Sequence, residues 1–112
     1  MKIPLKKKNI SLSPWQVWFA YVEFDGSNGG KKRPVLVTEV KGTDCSVMEI
    51  TSQPFAYITD IPIADLYSAG LNQKSVIQTR KRRVLRRGSL IEYRGKLSYE
   101  DINNVKRAWR FS

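Results

Sequence analysis

With 112 residues, 41% of them hydrophobic and 11% aromatic, the chain can bury one modest core and lacks the composition of a disordered basic tail. Twenty Lys and Arg against ten Asp and Glu leave a net charge of +10, which favours polyanionic partners, nucleic acid first among them. There is no histidine, so imidazole acid–base pairs, Ser–His and Cys–His nucleophiles and His-ligated metals are excluded.

Residues 1–12, with Lys2, Lys6, Lys7 and Lys8 and little to bury, predict a flexible basic arm ahead of a single domain over 13–112. That amino terminus lacks the apolar run of a secretory signal, and no stretch approaches a membrane span, so a cytoplasmic location is expected. "WQVWFAYVEF" (15–24) mixes aromatic and β-branched residues and predicts a long first strand. "DGSNGGKK" (25–32) is a turn cluster, and "RPVLVTEV" (33–40) is the returning strand, with Pro34 expected at its start or on an edge. "KGTD" (41–44) is a second turn and "CSVMEITS" (45–52) a third strand. The lone Cys45 allows neither an internal disulfide nor a cysteine zinc site and suits a reducing compartment.

Within residues 53–73, Pro54, Pro62 and Gly70 predict a loop, a short strand "YITDIPI" and one helical turn near "ADLYSAG". "KSVIQTRKRRVL" (74–85) reads as a further strand with a very basic second half. Over 98–111, Ile102, Val105 and Trp109 form a helical stripe. Ser98 with Asp101 three residues on approximates a capping box, and Lys106, Arg107 and Arg110 suit the opposite end of the dipole. The expected architecture is mainly β, a small twisted sheet or partial barrel closed by a carboxy-terminal helix.

Three features carry chemistry. "TRKRRVLRR" (79–87) places six cations in nine positions without an acid, either a solvated face or a polyanion site. Trp15, Trp18, Tyr21 and Phe24 are aromatic residues that serve as core or as stacking platforms for bases. "EITSQ" (49–53) ends a strand on two hydroxyls, Thr51 and Ser52, which can donate to a phosphate or cap the next turn. Asp25, Glu39 and Lys41 match a metal-dependent nuclease order only weakly, because Asp25 lies in a turn and no helix precedes the strands. No Walker loop or dinucleotide fingerprint is present.

Three segments, in order, resemble the PemK/MazF family of toxin ribonucleases from type II toxin–antitoxin systems. They are "VWFAYVEFDGSNGGKKRPVLV", "EITSQ" and "AGLNQKSVIQTRKRRVLRRGSLIEYRGKLSYEDINNVKRAW", together covering most of residues 14–110. The resemblance implies an SH3-like small barrel of the PemK/MazF/CcdB kind. It implies a homodimer that cleaves single-stranded RNA sequence-selectively, with neither metal nor cofactor, and an acidic antitoxin that neutralises it. Carried over by position, Arg33 matches the arginine of the family's Arg-Pro motif, and Thr51 and Ser52 its strand-end hydroxyls, as the catalytic set. Lys31, Lys32, Gln53, Thr79, Arg80, Lys81, Arg82 and Arg83 become RNA contacts. One departure stands out: many members carry an acid in the segment matching residues 78–82, where this chain has Gln-Thr-Arg-Lys-Arg. Either another carboxylate serves as base, with Glu23 and Asp25 near the first loop as candidates, or the chain cleaves weakly, or it only binds. The alternative is a non-catalytic SH3-like module that binds nucleic acid or an acidic protein.

Overall fold

Alternating side chains build a sheet with two apolar faces. In the computed structural model, which describes residues 11–23, 26, 28–53 and 57–109, six strands form it: β1 (Gln16–Glu23), β2 (Gly30–Lys41), β3 (Asp44–Thr51), β4 (Asp60–Pro62), β5 (Val76–Arg86) and β6 (Leu90–Lys96). Their order is β4-β5-β3-β2-β1-β6, and every neighbouring pair is antiparallel. A short helix α1 (Leu66–Ala69) follows β4, and α2 (Tyr99–Trp109) ends the described chain.

Period-two alternation sorts β3 onto both faces. Met48 and Ile50 join Val17, Leu36, Ile77, Leu97 and Val105 of α2 in one cluster, flanked by Ile102 and Trp109. Cys45 and Val47 join Trp18, Ala20, Val22, Val35, Val37 and Leu90 in the other. The second cluster draws its buried members from β1, β2, β3 and β6 and none from a helix, so the sheet must curl over it. Register shifts in β1–β6, β2–β3 and β3–β5 supply that curl, because bulges sharpen local twist. The result is the expected mainly-β fold with a carboxy-terminal helix, an open small-barrel-like sheet.

The elements follow the predicted order, with β4 shortened to Asp60–Pro62 of the predicted strand over 57–63 and three further differences. β2 begins at Gly30, so Lys31 and Lys32 are strand residues rather than turn. Pro34 stands inside a central strand instead of at a strand start or edge; it is accommodated because the β3 ladder begins only after it, at Val35. β6 was not anticipated, since Arg94 and Gly95 interrupt its alternation. The glycine is required there: a Cβ on Gly95 would lie 2.2 Å from the Ser68 carbonyl oxygen, and one on Gly70 2.0 Å from that of Arg94. These two positions let α1 press directly on the β6 backbone. Residues 1–10 of the basic arm predicted over 1–12, together with Phe24, Asp25 and Arg110, lie outside the described residues, and Leu12 packs against the second cluster.

The capping box forms and does more than cap. The Asp101 amide donates to Ser98 Oγ at 3.2 Å, and Ser98 Oγ donates back to Asp101 Oδ2 at 3.1 Å. The same fully buried carboxylate accepts from the amides of Ala64 and Asp65 at 2.8 and 3.0 Å, tying α2 to the entry of α1. Asp101→Ala is expected to cost about 2 kcal/mol of unfolding free energy, a lost cap plus two abandoned amides. A denaturant midpoint unchanged from the parent would refute this.

Candidate active site

Strand register decides which hydroxyl shares a face with which cation. The last paired residues of β2 and β3 are Val35 and Glu49. Arg33 lies two residues before Val35 and Thr51 two residues after Glu49, so both lie at the same end of the pair. Each keeps the face of the residue it flanks. Glu49, Thr51 and Arg33 therefore belong to the face that carries Val35 and Val47. β5 adds to it, since Gln78 stands opposite Glu49 and Arg83 opposite Val47.

The centre of this constellation is Glu49, only 4% exposed. Arg83 Nε donates to its Oε2 at 2.5 Å, and Arg33 Nη1 stands 3.8 Å from its Oε1. Arg33 itself remains 30% exposed along its side chain. Thr51 Oγ1 accepts a hydrogen bond from the Gln53 amide at 3.1 Å. It thus caps the following turn, yet its own hydroxyl proton remains available to an acceptor such as a phosphate oxygen. Both readings of the hydroxyl are compatible. Gln78 Oε1 is buried and has no hydrogen-bond partner among the described residues.

The basic run does not form one patch. Three residues, 79–81, are looped out of the β3–β5 ladder, which passes from Glu49–Gln78 directly to Met48–Arg82. Thr79 is fully buried and donates its hydroxyl to the Thr59 carbonyl at 2.7 Å, so its expected contact with RNA is corrected: it anchors the excursion. Arg80 stacks on Tyr57 with its guanidinium 4.1 Å from the ring centroid, and Lys81 is exposed. Arg82 turns the other way, 5.2 Å above the Trp109 ring, with Nε donating to the Thr79 carbonyl. Arg83 turns in to Glu49. Alternation and the excursion together scatter five consecutive residues.

Ser52 and Gln53 are exposed in the bend after β3, and Lys31 is exposed on β2. Lys32 takes the opposite face of β2 from Arg33. Its Nζ lies 5.1 Å from the Phe19 centroid and 3.6 Å from Glu92 Oε1. The Glu92 carboxyl is held below the ordinary glutamate range, chiefly by its hydrogen bond from Arg94; burial opposes this, and the charges of Arg94 and Lys32 and a hydrogen bond from Lys32 add to the lowering. Glu23 ends β1 opposite Gly30, three positions beyond the residue that faces Arg33. Of the aromatic candidates, Trp18 is core and Tyr21 is exposed. Trp15 is partly buried beneath Lys106. A cavity of about 290 Å³ opens beside Thr38, Ser46, Arg82 and Trp109, and neither Arg33 nor Thr51 lines it.

Glu49 and Tyr57 escaped the sequence reading. Glu49 had a signal: it occupies an alternating position shared with Cys45 and Val47, where a charge needs a reason. Tyr57 had none, because its role depends on Arg80 arriving from a distant strand.

The model for PemK-like, MazF-like toxins of type II toxin–antitoxin systems matches residues 13–112. The chain belongs to that family. Solved structures with the same fold include a mycobacterial endoribonuclease in complex with its cognate antitoxin, at 14% identity and a TM-score of 0.71, covering 90% of the toxin and 93% of that chain. The toxin MazF-mt6 of Mycobacterium tuberculosis aligns at 24% identity and a TM-score of 0.68, over 84% of this toxin and 91% of that chain. MazF of Deinococcus radiodurans aligns at 16% identity and a TM-score of 0.67, over 87% and 90% respectively. No curated protein sequence matches the toxin.

Proposed function

We propose that the toxin is a metal-independent endoribonuclease that cleaves single-stranded RNA, with Arg33 and Thr51 at the scissile phosphate. The observation that carries this reading is the β2–β3 register, which brings a partly exposed arginine and a strand-end hydroxyl to one end of one face. Membership of the toxin family and the net charge of +10 support RNA as the polyanion.

The chemistry suits a chain without histidine. The ribose 2′-oxygen attacks the adjacent phosphorus as the bond from phosphorus to the 5′-oxygen breaks. A 2′,3′-cyclic phosphate and a 5′-hydroxyl result, the proton lost from the 2′-hydroxyl being balanced by one gained at the leaving oxygen. Charge accumulates on the non-bridging oxygens in between, and a forked guanidinium is well shaped to meet it. Thr51 donates its hydroxyl proton to one of those oxygens. Ser52, Gln53, Lys31 and the Arg80–Tyr57 stack lie along the path of the flanking nucleotides, where phosphate contacts and base stacking hold the strand.

An acidic antitoxin covering the same basic groove is the partner that the charge predicts, and a homodimer and a cytoplasmic location complete the proposal. Among the described residues no helix is long and apolar enough to cross a membrane.

Purified toxin incubated with a long single-stranded RNA in EDTA tests the reading. Discrete cuts that leave cyclic phosphate and 5′-hydroxyl ends support it, and intact RNA would leave only the binding-module alternative. Thr51→Val is expected to lower the single-turnover rate by about tenfold to a hundredfold with KM little changed. The measurement is the cleavage rate of a short labelled RNA at saturating toxin.

A further inference from the structure

Glu49 breaks the pattern of its strand. The residues that precede it on its face of β3, Cys45 and Val47, are buried members of an apolar cluster, and a valine at position 49 would extend that cluster. An ionised carboxylate in such a place is unfavourable unless it is paired and hydrogen-bonded. Its pairing here is asymmetric. The 2.5 Å contact from Arg83 Nε is a charge-assisted hydrogen bond. The 3.8 Å approach of Arg33 Nη1 exceeds hydrogen-bond length, so Arg33 is oriented by the charge without spending its donors on it.

Arg83 reaches Glu49 only because β5 is irregular. An uninterrupted ladder from Thr51–Val76 through Glu49–Gln78 would set Arg80 opposite Val47; the three looped-out residues set Arg83 there instead. The excursion is pinned by the buried Thr79 hydroxyl on the Thr59 carbonyl, and Arg80 turns away from Glu49 to stack on Tyr57. Both Glu49 oxygens face cations, an arrangement suited to aiming a guanidinium rather than to drawing a proton from a ribose.

We propose that Glu49 is the positioning residue of the site: clamped by Arg83, its carboxylate fixes the orientation from which Arg33 meets the scissile phosphate. This inference rests on the endoribonuclease reading above. It also answers the missing acid of residues 78–82, since the carboxylate stands directly across the ladder from Gln78.

The test is a double-mutant cycle read by single-turnover cleavage, KM and thermal midpoint on the parent toxin, Glu49→Gln, Arg33→Ala and the double variant. Glu49→Gln is expected to lower the rate by about 100-fold, the penalty of a misaimed group, with KM for RNA unchanged or lower. In the Arg33→Ala background the same change is expected to alter the rate by less than about twofold. Glu49→Met, which suits the apolar surroundings, is carried through the same cycle, so that a poorly folded glutamine variant still leaves a result. Equal losses in both backgrounds, or a Glu49→Gln rate within about twofold of the parent, would overturn the positioning role while leaving the nuclease standing. A parent toxin that leaves RNA intact would overturn both.

Discussion

Arg33→Ala is expected to reduce single-turnover RNA cleavage by about 100- to 1000-fold, the scale of removing one preorganised donor from a site of developing negative charge. The side chain is only partly exposed, so two effects must be separated. Arg33 stands 3.8 Å from Glu49, whereas Arg83 makes the short contact. The buried carboxylate therefore keeps its principal partner when Arg33 is removed, and the fold should survive with a thermal midpoint close to the parent's. Loss of rate without loss of structure is the signature. Arg33→Lys retains charge but not the planar fork, so it should recover RNA binding better than it recovers rate. Binding should also lose about one phosphate contact from its salt dependence in the alanine variant. A variant that cleaves at the parent's rate would remove Arg33 from the mechanism.

The second large effect concerns stability. Arg83→Met removes the donor that lies 2.5 Å from a carboxylate whose side chain is 5% exposed. Breaking a buried ion pair from one side leaves a charge that neither water nor protein solvates, and the expected loss is about 3 kcal/mol. Arg33 cannot take over fully, because its longer contact and partial exposure deliver less. The distinguishing observation is rescue. Replacing Glu49 by Leu in the Arg83→Met background removes the stranded charge and lets the neighbouring apolar cluster extend over it, so urea midpoints should return toward the parent value. If the double variant is no more stable than Arg83→Met alone, the loss stems from packing of the arginine stem instead. The rescued protein should be stable and slow, since Arg33 has lost its guide.

These two arginines show how differently distant parts of one sequence can be read. Arg33 was legible because it precedes Pro34 and opens an apolar run, a local arrangement that survives folding with only its strand boundary moved to Gly30. The helix over Tyr99–Trp109 was legible for the same kind of reason, with its stripe and its Ser98–Asp101 cap all inside a short window. Arg83 looked like one of six equivalent cations in "TRKRRVLRR". Nothing local separates it from Arg80 or Arg82, and Thr79 looked no more buried than its neighbours. Their separation into an anchor, a stack on Tyr57, a contact with Trp109 and a clamp on Glu49 follows from one register shift. A register shift is a property of two strands, and it leaves no mark on either alone.

By itself the sequence determined the fold class, the helix and its cap, the basic character of the partner surface, and the candidates Arg33 and Thr51. Each of these depends on composition or on contacts within a few residues, and short-range periodicity and capping chemistry report such contacts directly. Only the tertiary structure decided that Glu49 is buried within reach of Arg33, that Arg83 holds it, and that Thr79 is buried. The physical reason is that the carboxylate's burial, and hence its need for partners, is imposed by β2 and β5 on either side of it. Which of five basic-run residues answers that need depends on where the β5 ladder slips.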